Sequence, residues 1–296
     1  MIAKYSFYLL LLVCIFSCKE GNKHESKTET TVKASTASSY DLLHPKEKWA
    51  LPEELKEVSG LSWIDNTHFL VIEDLHPQLY TLRLGSNAVI EKTIPFKLTD
   101  KEKFDIEDVA MIADTVYALW SHGAIFKITG WQTEQPDVKK YPTQLSKENN
   151  TEGLCYDPVS HHLLIACKDE SAVEDEKKST RAIYEFDQSA GVLKPGTFLL
   201  IHKRDFKKLA DEKFDFYPSA IAVQPGTNDI YILSTKDTKC MAVYNREGSL
   251  KSFQLIDKEL MPQPEGICFS PDGTLYISTQ GRHGESPMIY KFGLSQ

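Results

Sequence analysis

The sequence predicts an all-β protein: a five-bladed β-propeller built from four-stranded antiparallel blades. Three observations lead there. From about residue 41 the chain consists of short alternating apolar and polar runs separated by turn residues, with no amphipathic helix beyond a weak candidate at Lys203 to Asp211. The runs come in groups of four. The groups recur five times at a spacing near 45 residues, which is the signature of propeller blades.

The first run of each group reads EVSGLSW, DIEDVAM, NTEGLCY, YPSAIAV and QPEGICF. The second reads HFLVIED, TVYALWSHG, HLLIACKDE, DIYILSTKD and TLYISTQGR, and the third QLYTLRL, AIFKITG, RAIYEFD, CMAVYNR and MIYKFG. A weaker fourth appears as AVIEKTIPF, DVKKYPTQL, TFLLIHKR and LKSFQLID. Counted from Ser59 through Glu107, Glu152 and Ser219 to Glu265, the intervals are 48, 45, 67 and 46 residues. The long interval accommodates loop insertions at 169–180 and 203–216 but falls short of a sixth blade, the alternative count. A β-sandwich would not account for five in-phase units, and a solenoid repeat would be shorter. The fifth group has no fourth run of its own, so residues near 43–51 are expected to complete the last blade and cover edges otherwise open to pairing.

Composition narrows the function. The chain has 296 residues, and 41% of them are hydrophobic, ample for a packed core. A net charge of −8 without any dense basic block argues against nucleic-acid binding, which relies on a basic face. Residues 1–17 carry one Lys and an apolar run from Tyr8 to Phe16, the layout of an export signal too short to span a bilayer. The run leads into Ile15-Phe16-Ser17-Cys18, which resembles a bacterial lipobox with Cys18 as the lipidated residue. Residues 18–40 are rich in Ser, Thr, Lys and Glu and poor in large apolar side chains, as expected of a flexible tether. The expectation is an exported lipoprotein anchored to a bacterial membrane, with a propeller domain at 41–296. Cys155, Cys167, Cys240 and Cys268 lie in apolar runs without zinc-site spacing and read as small buried hydrophobes.

In a propeller the first strand of each blade lines the central channel, so equivalent positions form a ring. That column reads Ser59, Glu107, Glu152, Ser219 and Glu265. Three carboxylates converging on one axis repel one another and either take up protons or hold a cation. With oxygen donors only, the ring suits a hard ion, and Ca²⁺ better than the smaller, octahedral Mg²⁺. Loops between second and third strands open on the same mouth. They carry Glu73, Asp74 and His76, then Ser121 and His122, Lys168 and Asp169, Lys236 and Asp237, and Arg282 and His283. Of these, Asp74, His76, His122, Lys168, Asp169, Lys236, Asp237, Arg282 and His283 are the candidate ligand-binding residues.

The motifs SGLSW, EGLCYDP and EGICFSPDGTLYIS resemble the SdiA-regulated family of exported bacterial β-propellers, a likeness covering most of residues 50–293. The order Ser, Glu, Glu, Ser, Glu is similar to the central calcium ring of the calcium-activated nucleotidase (apyrase) family. That similarity implies Ca²⁺ at Ser59, Glu107, Glu152, Ser219 and Glu265 without by itself implying nucleotidase activity. Two functions follow as expectations. One is a lipid-anchored, calcium-binding module that recognises a small molecule, glycan or protein at its mouth. The other is a calcium-dependent hydrolase of phosphate esters or anhydrides, in which His76, His122 or His283 handles protons while Lys168, Lys236 and Arg282 steady anionic oxygens. No nucleophile elbow, H-E-x-x-H or phosphate-cradling Gly loop supports the second.

Overall fold

The computed structural model describes residues 40–98, 105–175, 180–206, 214–282 and 284–294. The export signal, Cys18, the tether and His283 lie outside the described residues. Within them, five small antiparallel sheets stand in a ring, the expected five-bladed propeller. Blade 1 contains β2 (Val58–Trp63), β3 (His68–Glu73), β4 (Gln78–Leu84) and β5 (Ala88–Pro95). Blade 2 contains β6 (Ile106–Ile112), β7 (Thr115–Trp120), β8 (Ile125–Thr129) and β9 (Asp137–Tyr141). Blade 3 has β10 (Thr151–Asp157), β11 (His162–Cys167) and β12 (Thr180–Asp187), with its outer strand split into β13 (Val192–Leu193) and β14 (Leu199–His202), both paired to β12. Blade 4 has β15 (Pro218–Val223), β16 (Ile230–Ser234), β17 (Cys240–Tyr244) and β18 (Leu250–Leu255). Blade 5 has β19 (Pro264–Phe269), β20 (Leu275–Thr279) and β21 (Met288–Phe292), and its fourth strand is β1 (Glu47–Ala50) from the opposite end of the domain.

That closure is held at several points. Strand β1 runs antiparallel to β21 with Trp49 opposite Ile289. The Trp49 indole donates to the Gly85 carbonyl of blade 1 at 2.8 Å, so the closing strand also ties the last blade to the first. Tyr40, fully buried, donates its hydroxyl to the Gly273 carbonyl at 2.6 Å. The weak helical signal after residue 203 is a single 3₁₀ turn, Lys203–Phe206. Phe206 packs on Phe214 and Phe216 at ring separations of 4.9 Å, and Phe214 packs on Phe253 at 5.1 Å, so aromatic contacts hold this insertion against blade 4.

The apolar core lies in wedges between neighbouring blades. Leu70 and Ile72 of blade 1 pack with Val116 and Phe126 of blade 2, and Leu61 and Phe69 of blade 1 pack with Tyr276 and Ile289 of blade 5. Strands β2, β6, β10, β15 and β19 each touch the inner strands on both sides, and the circle closes from β19 back to β2. The approach is close enough to dictate side-chain size. A Cβ on Gly60 would lie 2.7 Å from the Asp108 Cα of blade 2, and one on Gly153 would lie 3.0 Å from the Ile221 backbone nitrogen of blade 4. The glycine after the ring position in blades 1 and 3 is therefore a packing requirement.

At that position in blade 2 stands Asp108 instead, only 2% exposed. Its carboxylate accepts from the N–H of Val109 and of Leu154, each at 2.7 Å, and from the N–H of Leu61, so one side chain joins three blades. Burial pushes its pKa well up even though these three donors pull the other way. Among the described residues the four cysteines are free thiols, and no helix is long and apolar enough to cross a membrane. Replacing Asp108 with Ala is expected to strip three buried N–H groups of their acceptor and lower unfolding stability by about 3 kcal/mol or more in chemical denaturation. Asp108→Asn, which keeps one acceptor oxygen, should lose less.

Candidate functional site

Each inner strand begins with the same irregularity. Against its neighbour in the blade, the register shifts between Val58 and Gly60, Ile106 and Asp108, Thr151 and Gly153, Pro218 and Ala220, and Pro264 and Gly266. The extra residue in the five bulges is Ser59, Glu107, Glu152, Ser219 and Glu265, the column read from the sequence. A bulge bends its strand and re-aims the unpaired side chain, and here it does so five times around one axis.

One residue follows each second strand at the same end of its blade, and in blade 3 it reaches the ring. Strands β3, β7, β11, β16 and β20 are followed by Asp74, Ser121, Lys168, Thr235 and Gln280. The two layers interact. The Lys168 ammonium donates to Glu152 Oε2 at 2.7 Å, while Glu152 Oε1 accepts from the Asn150 amide at 3.0 Å. Ser121 donates to Asp105 at 2.7 Å, and the Gln263 amide donates to Gln280. The Asp74 Oδ1 and Thr235 Oγ1 atoms are buried without a hydrogen-bond partner. The hydroxyls of Ser59 and Ser219, 2% and 1% exposed, donate to the carbonyls of Ile106 and Pro264 in the next blade, each at 2.9 Å.

The three ring glutamates feel one another. Burial raises the Glu107 pKa well above the usual carboxylate range, and repulsion from Glu152, Asp105 and Glu265 adds to it. Burial and then Glu152 push Glu265 up to about 8, against the pull of Lys168, Gln263 and Arg282. Glu152 is also raised, chiefly by burial, although Lys168 draws it down. Burial alone would lower Lys168, but attraction to Glu152, Glu265 and Glu107 outweighs it and the ammonium is held charged. Asp74 rises to about 6 through burial and the charges of Glu57, Glu73 and Asp105. One ammonium thus stands among three carboxylates, with further acids on the side of blades 1 and 2.

The remaining sequence candidates are distributed less tightly. Asp169 is half-buried and its charge adds to the rise at Glu152. His76 is exposed, with Nδ1 2.8 Å from Glu73 Oε1, and His122 is exposed and stacked on Trp120 at 4.9 Å. Exposed Lys236 lies over the Tyr217 ring at 4.3 Å, and Asp237 is an exposed turn residue with φ of 56°. Arg282 is exposed, yet its charge is felt at Glu265 and at Lys239. In blades 4 and 5 the inner position belongs to Thr235 and Gln280, which the sequence reading passed over for the charged residues after them. Asp105, Gln263 and Asn150 were also missed. Aligning each blade on the last residue of its second strand would have found the second layer.

The donor set fits a cation in part. Three mutually repelling carboxylates suit one, but the Lys168 ammonium already serves Glu152, and both serine hydroxyls are engaged with carbonyls. Among the described residues no three His, Cys, Asp or Glu side chains are arranged to hold a metal ion.

A family model described as SdiA-regulated matches residues 41–282. Among curated proteins none matches the chain. Among solved structures, glutaminyl cyclase from Myxococcus xanthus superposes with a TM-score of 0.56 at 14% identity, over 85% of this chain and 96% of that one. A chain of the mitotic checkpoint complex gives 0.51 at 9% identity over 97% and 99%, and virginiamycin B lyase from Staphylococcus aureus 0.46 at 12% over 79% and 67%. At such identities the likeness is one of fold.

The raised pKa of Glu265 has a definite sign in stability. The folded protein binds that proton more tightly than the unfolded chain, whose Glu titrates near ~4.3, so the stabilisation is complete below that value and is lost as pH rises through about 8. In metal-free buffer the melting temperature is expected to fall between pH 5.5 and 8.5 by roughly 5 °C more in the wild type than in Glu265→Gln.

Proposed function

The chain belongs to the SdiA-regulated family, and we propose that it is a binding module which takes a positive charge into the acidic mouth of its ring. Ca²⁺ is the ion we assign, with a small molecule, glycan or protein held over it by the surrounding loops. The observation that carries this reading is the gathering of Glu107, Glu152 and Glu265 from three blades around a single ammonium, Lys168. Glu107, Glu152 and Glu265, which are not arranged around a metal position as they stand, would have to draw together around the ion as Lys168 withdraws, and the serines are left out of the set because their hydroxyls latch neighbouring blades. When bound, Ca²⁺ would neutralise the mutual repulsion of the carboxylates and offer open positions to oxygen atoms of a ligand.

The protein's own groups fit a holding role. Lys168 orients Glu152 and opposes the rise in its proton affinity when the ion is absent, while Asn150 fixes its other oxygen. Lys239 and Arg282 bring positive charge near Glu265 and favour ligands with anionic groups. The hydrolase reading is the weaker one, because among the described residues the hydrogen bonds made by the ring glutamates run to Lys168, Asn150 and Gln263 and bring no histidine to them. Attachment through a lipid on Cys18 belongs to the same proposal and would keep the module at a membrane surface.

Calorimetric titration with Ca²⁺ at pH 7 tests it. Binding is expected in the wild type, with a stabilisation of about 3 kcal/mol at a hundredfold excess over Kd that a chelator removes. Lys168→Met should tighten binding by about tenfold, since the competing charge is gone, and Glu152→Gln should weaken it by a similar factor. Heat-silent titrations with unchanged melting in both wild type and Lys168→Met would refute the assignment.

A further inference from the structure

The acidic mouth is not uniform around its rim. On the side of blades 1 and 2, the charges of Glu57, Glu73 and Asp105 gather about Asp74. On the side of blades 4 and 5 two cations, Lys239 and Arg282, lie within the electrostatic reach of Glu265 and of each other. Lys239 ends the loop between β16 and β17, and Arg282 lies in the loop between β20 and β21, both at the bulged end of their blades. Lys239 is half-buried and Arg282 exposed, so a ligand at the mouth can reach both.

The backbone beneath them is fixed. The Lys239 carbonyl accepts from the Ile256 N–H at 2.9 Å. The N–H groups of Gln280 and Gly281 donate to the carbonyls of Gln263 and Lys56, each at 3.0 Å, and the Arg282 carbonyl accepts from the Glu285 N–H at 2.9 Å. This turn is tight enough that a Cβ on Gly281 would lie 2.6 Å from the Glu285 carbonyl oxygen. Both side chains therefore start from ordered points, which lowers the entropy lost when they grip a shared ion.

The pair lacks a counter-ion. Other cations at this end of the blades have a carboxylate: Lys168 is 2.7 Å from Glu152, Lys203 is 3.6 Å from Asp215 and Lys258 is 3.8 Å from Glu259. Among the described residues Lys239 and Arg282 form no ion pair. The Lys239 ammonium donates to the Thr235 carbonyl at 3.1 Å and keeps further protons to donate. Burial and then the Arg282 charge lower its pKa, and the attraction of Glu265 and Asp237 does not cancel them. Two like charges held close together without a carboxylate between them are relieved by an oxyanion, which accepts hydrogen bonds from both. Carboxylates on the side of blades 1 and 2 repel such a group and steer it to blades 4 and 5.

We infer that Lys239 and Arg282 form a subsite for an oxyanion, the carboxylate or phosphate group of the ligand taken at the mouth. The inference deepens the proposed function and rests on it for one consequence. A cation held by the ring glutamates cancels the repulsion that Glu265 exerts on the anion, so Ca²⁺ and the anion favour each other's binding.

Isothermal titration of the full chain at pH 7 and low salt, with methyl phosphate and separately with acetate, tests the subsite and tells a phosphate ester from a carboxylate. Saturable binding of at least one of them in metal-free buffer is expected. Lys239→Met and Arg282→Met should each weaken it about tenfold, whereas Lys239→Arg, which keeps the charge, should stay within about twofold of the wild type. Lys127→Met, a change on β8, should leave it unchanged. Both mouth side chains reach solvent, so these variants should melt as the wild type does. Saturating Ca²⁺ should tighten anion binding about threefold or more. Binding that depends on the two cations but ignores Ca²⁺ would uphold the subsite and count against the Ca²⁺ assignment alone. No saturable binding of either anion, with or without Ca²⁺, or equal affinity in the wild type and both Met variants, would overturn the proposal.

Discussion

Everything in this protein depends on how closely five inner strands approach one another around a shared axis. Their contact is tight enough to exclude a Cβ at Gly60 and to crowd one at Gly153. Where a larger residue does stand in that layer, it is Asp108, whose carboxylate replaces lost packing with hydrogen bonds to three blades. Closure of the circle by β1 keeps the blades from parting at the junction of first and last. A bulge at the start of each inner strand is the counterpart of this packing. It releases one residue per blade from the ladder, so a polar side chain at that point need not occupy a tightly packed face.

The electrostatic character of the mouth follows from that geometry. Glu107, Glu152 and Glu265 come from blades 2, 3 and 5 and have little water to screen them, so Glu152 raises the proton affinity of both other glutamates and Glu265 adds to that of Glu107. The protein relieves the repulsion with Lys168 and with a proton favoured on Glu265 near neutrality. A divalent cation would do the same work more completely, which places proton, ammonium and metal in competition for one small volume.

Much of this was legible in the sequence because a propeller writes its fold as repetition. The third strand of blade 1 was read as QLYTLRL and is found at Gln78–Leu84, and the expected closing segment contains β1. The ring column was legible because Gly, Asp or Ala follows it every time, although that small residue reflects packing between blades. The bulges were not legible, since register depends on pairing with the second strand. The second layer was legible at Asp74, Ser121 and Lys168, which stand in the loops read from the sequence as opening on the mouth. Thr235 and Gln280 are uncharged, and the charged residues just beyond them, Lys236, Asp237 and Arg282, stand out instead in loops whose lengths differ between blades. Asp108 was hidden beside Glu107 in the same acidic pair.

The central claim is that the bulged glutamates act together on one positive ion. A crystal structure grown with Ca²⁺, read through the anomalous signal of the metal, addresses it most directly. The account predicts one axial peak within about 2.3–2.6 Å of carboxylate oxygens from Glu107, Glu152 and Glu265, with the Lys168 ammonium withdrawn from Glu152. An axis without a peak, and a Lys168–Glu152 pair still at its 2.7 Å separation, would contradict it.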